Sequence, residues 1–257
     1  MTTTSDPKVY LTGGALRNRL MDLPVKDLDF AVEAKSYGAM VQWLVSRGVR
    51  VWQERPQFYT LRGQLPKNGL PNLGGDFGGD WSLDRSRGQH DVDFTLCRTE
   101  GPYTDGRHPD WVHPSSLVDD LGRRDFTVNA MAMSADGELV DPFDGQVHCK
   151  EKHLRTVGNP HSRFMEDPLR LMRAWRFCVT LNMHPADSLV ESLPRAVKLL
   201  GPGSVSMERV REEMHRAMAH AWGFATYSLM AGKFHHLGMH VVEAYPDLWL
   251  KPSTEKH

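Results

Sequence analysis

Apolar and polar residues alternate through Lys8-Val9-Tyr10-Leu11-Thr12 and run into Gly13-Gly14. Ala15 to Met21 then takes helical spacing, and Lys26 to Glu33 reads as a second strand. A strand, a glycine turn, a helix and a strand, in that order, predict the opening of an α/β sheet. Ser36 to Gly48 places Met40, Val41, Leu44 and Val45 at helical intervals, and Val49 to Leu61 returns to strand character. Residues 63–90 lose all periodicity: Pro66, Pro71 and seven glycines predict a loop or flexible insertion. Asp91 to Arg98 alternates as a strand, and helical character returns over Ser116 to Met133. From Arg163 the pattern is helices with short loops: Pro168 to Leu181, Ala186 to Leu200, Ser206 to His220 and Trp222 to Leu237. The expected organisation is an α+β head over residues 1–150, a mixed sheet with helices, followed by an all-helical part over 151–257.

Composition narrows the class only a little. With 31 basic and 32 acidic side chains the formal net charge is −1, so bulk attraction to a polyanion is excluded and any contact with nucleic acid must come from local basic clusters. The three cysteines, Cys97, Cys149 and Cys178, show no CxxC spacing and are odd in number, which argues against a disulfide framework or a zinc site. The start has no basic n-region followed by an apolar run, and no stretch approaches the ~18 apolar residues of a membrane span. The expectation is a soluble cytoplasmic protein with no membrane partner.

The chemistry begins at Lys26-Asp27-Leu28-Asp29-Phe30. On a strand, residues i and i+2 share a face, so Asp27 and Asp29 would stand side by side. Two adjacent carboxylates repel unless a cation lies between them, and Mg²⁺ suits such hard oxygen ligands. Two solvated charges on a strand edge would give the same motif. Upstream, Gly13-Gly14 ends a strand and opens a helix, where free backbone N–H groups can cradle a triphosphate, and Arg17 can pair with a phosphate oxygen.

In residue type and spacing, Gly13-Gly14-Ala15-Leu16-Arg17 followed by Lys26-Asp27-Leu28-Asp29 resembles the first motif of the polymerase-β-like nucleotidyltransferases, specifically the class II CCA-adding enzyme and bacterial poly(A) polymerase family. This chain has Asn18 where that family typically has aspartate. The resemblance implies a nucleotidyltransferase head, a helical neck, and a two-metal site that needs a third carboxylate. Asp93 matches the family's position, five residues before Arg98, and Asp91 is its rival on the same strand face. The run Arg98-Thr99-Glu100, Tyr103, Arg107 and Pro109 also resembles the family's following loop.

Two further segments carry the resemblance. Asp120-Leu121-Gly122-Arg123-Arg124-Asp125-Phe126-Thr127-Val128-Asn129-Ala130 contains the family's RRDFTxNA element. In a helix, Asp125 and Asn129 would share a face toward a ribose hydroxyl or metal-bound water, while Arg124 or Arg123 reaches the triphosphate. Asp141-Pro142-Phe143-Asp144-Gly145 resembles the family's DPFxG turn, with His148 where an acidic residue is frequent. Glu166-Asp167-Pro168-Leu169-Arg170, continuing through Arg173 and Arg176, resembles the EDxxR nucleotide-selecting helix. A carboxylate that accepts beside a guanidinium that donates suits the amine and unprotonated ring nitrogen shared by cytosine and adenine. Asp167 also reads as a plain helix N-cap ahead of Pro168.

The resemblance covers residue 8 to about residue 215. It implies transfer of CMP and AMP to a tRNA or other RNA 3′ end, with CTP and ATP as donors and Mg²⁺ held by Asp27 and Asp29, and by Asp93 as third carboxylate. Addition of A alone, as by a poly(A) polymerase, fits the same motifs. A reading of another class is a catalytically idle RNA-binding or assembly subunit. Family members continue into further helical domains that grip tRNA, and the alternatives for this chain are action on a tRNA minihelix, on a loosely held RNA end, or with a partner protein or second copy in place of that tail.

Overall fold

The computed structural model of the chain describes residues 6–25, 27–65, 70–77, 91–102 and 109–249. Tyr103, Arg107 and the larger part of the 63–90 stretch lie outside them. The fold divides into two compact units, one of Met1–Gly101 with Pro109–Glu151 and one of Pro102–His108 with Lys152–His257.

The first unit is built on β1 (Lys8–Thr12), α1 (Gly14–Leu20), β2 (Asp29–Glu33), α2 (Tyr37–Ser46), β3 (Arg50–Arg55), β4 (Thr60–Gln64) and β5 (Asp91–Leu96). A short pair, β6 (Arg98–Glu100) and β7 (Val112–Pro114), precedes α3 (Leu117–Gly122), β8 (Ala132–Ser134), β9 (Leu139–Val140) and α4 (Gly145–Lys150). The main sheet runs β3-β4-β5-β2-β1-β8-β9. Its pairings are antiparallel except β2 with β5, which is parallel. Beneath it Phe30 stacks on Phe94 with centroids 5.2 Å apart and meets Phe77 edge-on at 5.4 Å. All three rings are buried, each contributing about 1.5–3 kcal/mol through loss of contact with water.

Several expected elements differ. The strand expected over Lys26 to Glu33 starts only at Asp29, so Asp27 precedes it. Val49 to Leu61 is two strands, because Pro56 opens a single 3₁₀ turn that ends at Tyr59 in the left-handed region, φ 54°. Within the stretch expected as loop from 63, Gly63 and Gln64 belong to β4, and Phe77 sits in the core. The helix expected over Ser116 to Met133 is confined to α3, opened by a capping box between Ser116 and Asp119. Beyond it the Asp125 carboxylate accepts from the Phe126 N–H at 2.8 Å, a local bond that replaces helix continuation and leaves Phe126 extended.

In the second unit, β10 (His153–Leu154) pairs in parallel with β11 (His184–Pro185) beside α5 (Pro160–Glu166), α6 (Leu169–Thr180), α7 (Asp187–Ala196), α8 (Met207–Met230) and α9 (His235–Ala244). Wholly buried Trp175 on α6 donates its indole N–H to Ser228 Oγ on α8 at 2.9 Å, a partner that buried indoles require. The break expected between two helices at residue 221 is present inside α8, where Ala221 leaves the helical region with φ −156° and ψ 76°. The second of them stops at Met230 instead of Leu237, and α9 starts at His235.

Candidate active site

Sheet register builds the centre of the first unit. Arg62 on β4 lies opposite Asp93 on β5, Asp93 opposite Asp29 on β2, and Asp29 opposite Thr12 on β1. Residues opposed across neighbouring strands point to one face, so a single transverse row carries a guanidinium, two carboxylates and a hydroxyl. The same register sets Asp91 opposite Gln64, away from Asp29.

The carboxylates of this row repel one another. Crowding by protein atoms and the neighbouring Asp93 carboxylate push Asp29 above the usual carboxylate range, against the pull of Arg124; Asp27 raises it further and Arg62 lowers it. Asp93 is held on both oxygens by Arg62, Nε to Oδ1 at 2.6 Å and Nη2 to Oδ2 at 2.8 Å. A cavity of about 310 Å³ opens here, lined by Asp29, Asp93, Arg62, Arg55, Gln53 and Thr60.

The glycine turn meets this row from the other side. Gly13 caps α1 with φ 72° and ψ −132°, a conformation that side chains rarely adopt, and no side chain caps that helix. A methyl added at Gly13 would lie 3.1 Å from Arg124 Nη1 and 3.8 Å from Asp29 Oδ2, so the backbone, the guanidinium and the carboxylate converge. Arg17 donates to Asn129 Oδ1 at 2.6 Å and, through Nε and Nη2, to Asn18 Oδ1. Asn129 in turn donates to Asp125 at 3.0 Å. Thus Asp125 and Asn129 are joined without the helix that was expected to align them.

Arg124 is steered from behind. Asp120, fully buried on α3, takes Arg123 at 2.7 Å and Arg124 at 3.4 Å. Glu100 takes Arg98 at 2.7 Å and Arg123 at 3.0 Å. Burial alone would push Asp120 up, but the guanidiniums of Arg123 and Arg124 outweigh it and hold it below the usual range. Arg124 also donates to the Asn129 carbonyl at 3.1 Å, while its Nε and Thr12 Oγ1 are buried without a hydrogen-bond partner among the described residues. The DPFDG turn closes this region: both Asp141 oxygens accept from the first N–H groups of α4, and Gly145 packs so tightly that an added methyl would stand 2.4 Å from the Thr127 carbonyl oxygen. His148 Nδ1 lies 3.0 Å from Thr127 Oγ1, a contact inside the fold.

A divalent cation can be tested against these donors. Asp29 offers hard oxygens opposite Thr12, whose buried hydroxyl has no hydrogen-bond partner among the described residues, and lies close enough to Asp27 and Asp93 to feel their charge, which is the donor chemistry a divalent cation takes. Asp93 does not join Asp29 as it stands, its oxygens being engaged by Arg62, and among the described residues no group of three acidic, His or Cys side chains gathers as ligands.

The second unit holds the other expected residues. Asp167 Oδ1 accepts from the Leu169 N–H at 3.0 Å, capping α6, and Oδ2 meets Arg209 Nη2 at 3.2 Å. Arg170 is buried and donates to Glu166 at 2.5 Å and to the Arg163 carbonyl at 3.1 Å. Arg173 lies over the Phe177 ring at 5.4 Å. Arg176 packs on the same ring at 4.2 Å and is paired with Glu213 on α8, and its burial lowers its proton affinity. The structure therefore sets Asp167 against Arg209 and Arg170 against Glu166, and does not pair Asp167 with Arg170. Sequence reasoning gave no individual role to Arg62, Glu100, Asp120 or Arg209. Asp120 had a local signal in its i+3 and i+4 spacing to Arg123 and Arg124, and Glu100 in its i−2 spacing to Arg98; the partners of Arg62 and Arg209 come from long-range packing.

Residues 80–155 match the poly A polymerase head domain. Over 212 residues the chain is 35% identical to the CCA-adding enzyme of Lacticaseibacillus paracasei, covering 82% of this chain and 46% of that one. Among solved structures, the Bacillus stearothermophilus CCA-adding enzyme in complex with CTP is 28% identical with a TM-score of 0.68, over 89% of this chain and 49% of that one. A tRNA nucleotidyltransferase complexed with a primer tRNA and an incoming ATP analog is 25% identical with a TM-score of 0.60, over 98% and 61%. The chain spans about half the length of the curated relatives it matches. Among the described residues no helix is long and apolar enough to cross a membrane.

Proposed function

Because this chain belongs to the family of CCA-adding enzymes and poly A polymerase heads, we propose that it transfers CMP and AMP from CTP and ATP to the 3′ end of a tRNA. The observation that carries the reading is the convergence of Asp29, Arg124 and the Gly13 backbone beside Asp93. That convergence brings a negative row meant for a cation within reach of donors meant for phosphates. Relatives solved with CTP and with a primer tRNA and ATP analog support the same reading. It implies a setting where tRNA matures, the cytoplasm.

In the reaction so proposed, the RNA 3′-hydroxyl attacks the α-phosphate in line, the new P–O bond forms as the bond to pyrophosphate breaks, and the hydroxyl proton leaves to solvent. Mg²⁺ bound to Asp27 and Asp29 would neutralise developing charge on the phosphates. The N–H groups at Gly13 and Gly14 cradle phosphate oxygens, and Arg124, with Arg123 and Asp120 behind it, supplies a fixed cation. Arg17 holds Asn129, and Asn129 with Asp125 faces the ribose. Choice of base is assigned to Asp167 and Arg170; each must exchange its present partner, Arg209 or Glu166, for the base edge.

The test is to incubate the purified chain and Mg²⁺ with tRNA transcripts ending before CCA, after C and after CC, with each labelled nucleotide alone and together. Stepwise addition that stops at CCA is expected. Long A tails would move the assignment to a poly(A) polymerase, and no incorporation on any acceptor would overturn the catalytic reading.

A further inference from the structure

Of the row on β4, β5 and β2, the proposed reaction uses Asp29 and leaves Arg62 and Asp93 as a pair. Arg62 faces Asp93 across the strand pair with two parallel hydrogen bonds, at 2.6 and 2.8 Å, the most directional geometry an ion pair has. Both side chains are open to water, 46% and 43% exposed, so the pair is accessible and cheap to separate. The guanidinium carbon lies 5.7 Å from the ring of half-exposed Trp52 on β3, a face against which the side chain can rest when detached. The held carboxylate is the one that register sets against Asp29.

We propose that Arg62 is a guard on the third carboxylate: it occupies Asp93 in the resting chain, competes there with an incoming divalent cation, and frees Asp93 to join Asp27 and Asp29 only when displaced. This rests on the reading of Asp27 and Asp29 as cation ligands. Arg62 is a positioning residue acting through Asp93, so its removal is read in cation affinity before any nucleotide is present. An exposed pair of this kind contributes up to about 1 kcal/mol, so its release corresponds to roughly a threefold to fivefold gain in affinity.

The experiment is titration of the full chain with Mn²⁺ alone, followed by electron paramagnetic resonance of the free ion. Arg62→Met is expected to bind Mn²⁺ roughly threefold to fivefold more tightly, with Arg62→Lys showing a smaller gain because it keeps the charge and loses the fork. Asp93→Asn is expected to change little by itself and to erase the gain when combined with Arg62→Met. An unchanged affinity in Arg62→Met overturns the guard, as does an equal gain with or without Asp93, which would mean simple removal of positive charge. If Asp27→Asn and Asp29→Asn leave Mn²⁺ binding of the native chain untouched, the cation reading fails and the guard fails with it. If both abolish binding while Arg62→Met has no effect, only the guard is lost.

Discussion

Two groups of charged residues in the first unit are built from carboxylates and guanidiniums in different proportions, and they shift the proton affinity of their central acids in opposite directions. Around Asp120, two carboxylates and three arginines are drawn into a network where Asp120 is fully buried and each acid has two guanidiniums. Across β2 and β5, Asp29 faces Asp93, with Asp27 just ahead of β2 adding its charge, and Asp29 is left with a proton affinity above that of a free carboxylate. The first arrangement favours the charged folded state. The second works against it, and a fold gains nothing from such an arrangement unless something else binds there. Stability and chemistry are thus divided between two clusters whose common member is Arg124, paired with Asp120 on one side and reaching toward Asp29 on the other.

Substitutions can break this contrast. The largest effect is expected at the repelling row: Asp29→Asn should lower nucleotide incorporation by roughly 10³-fold or more, and Asp27→Asn likewise, in a labelled-nucleotide assay. Loss of incorporation with either variant below about tenfold would contradict a ligand role. Next is the network. Asp120→Ala leaves Arg123 and Arg124 without their buried acid and should cost about 3–5 kcal/mol in urea unfolding. A smaller cost, about 1–3 kcal/mol, is expected for Gly145→Ala, whose methyl must push against the Thr127 carbonyl.

The smallest effect sharpens the contrast most. Asp29 holds its proton more tightly folded than unfolded, so its contribution favours folding at pH below its ordinary value and is lost as pH rises through the raised one. Asp29→Asn should therefore unfold at a higher temperature than the native chain at neutral pH, with the difference shrinking as pH falls toward the ordinary carboxylate range. Asp120 has the opposite sign: its stabilisation is present above its ordinary value and is lost as pH falls through the lowered one. Matched melting curves of Asp29→Asn and Asp120→Asn between neutral and acidic pH check both.

What could be read from the chain alone follows the reach of each signal. The opening strand, Gly13 and Asp29 lie within a short segment, and period and glycine chemistry suffice to outline them. The α-helix over Ser116 to Met133 was over-extended because Asp125 competes for the backbone in a way that periodicity does not register. Arg62 was invisible because its meaning comes from register, 31 positions before Asp93 in sequence and directly opposite in the sheet. In the second unit, the arginines of α6 read as one series, yet packing sends Arg170 to Glu166 and Arg176 to Glu213.

The parallel pairing of β2 with β5 has a kinetic consequence. Asp29 and Asp93 are about sixty residues apart in sequence, and non-local pairing of this kind forms late because the chain entropy of closing so long a loop is spent before the contact returns anything. Hairpin β3–β4 and helix α2 can organise from neighbouring residues, whereas the carboxylate row has no existence in a half-folded chain. On the proposed reading of Asp27 and Asp29 as cation ligands, a refolding experiment followed by Mn²⁺ uptake should then lag one followed by helical circular dichroism, the cation reporting completion of the sheet.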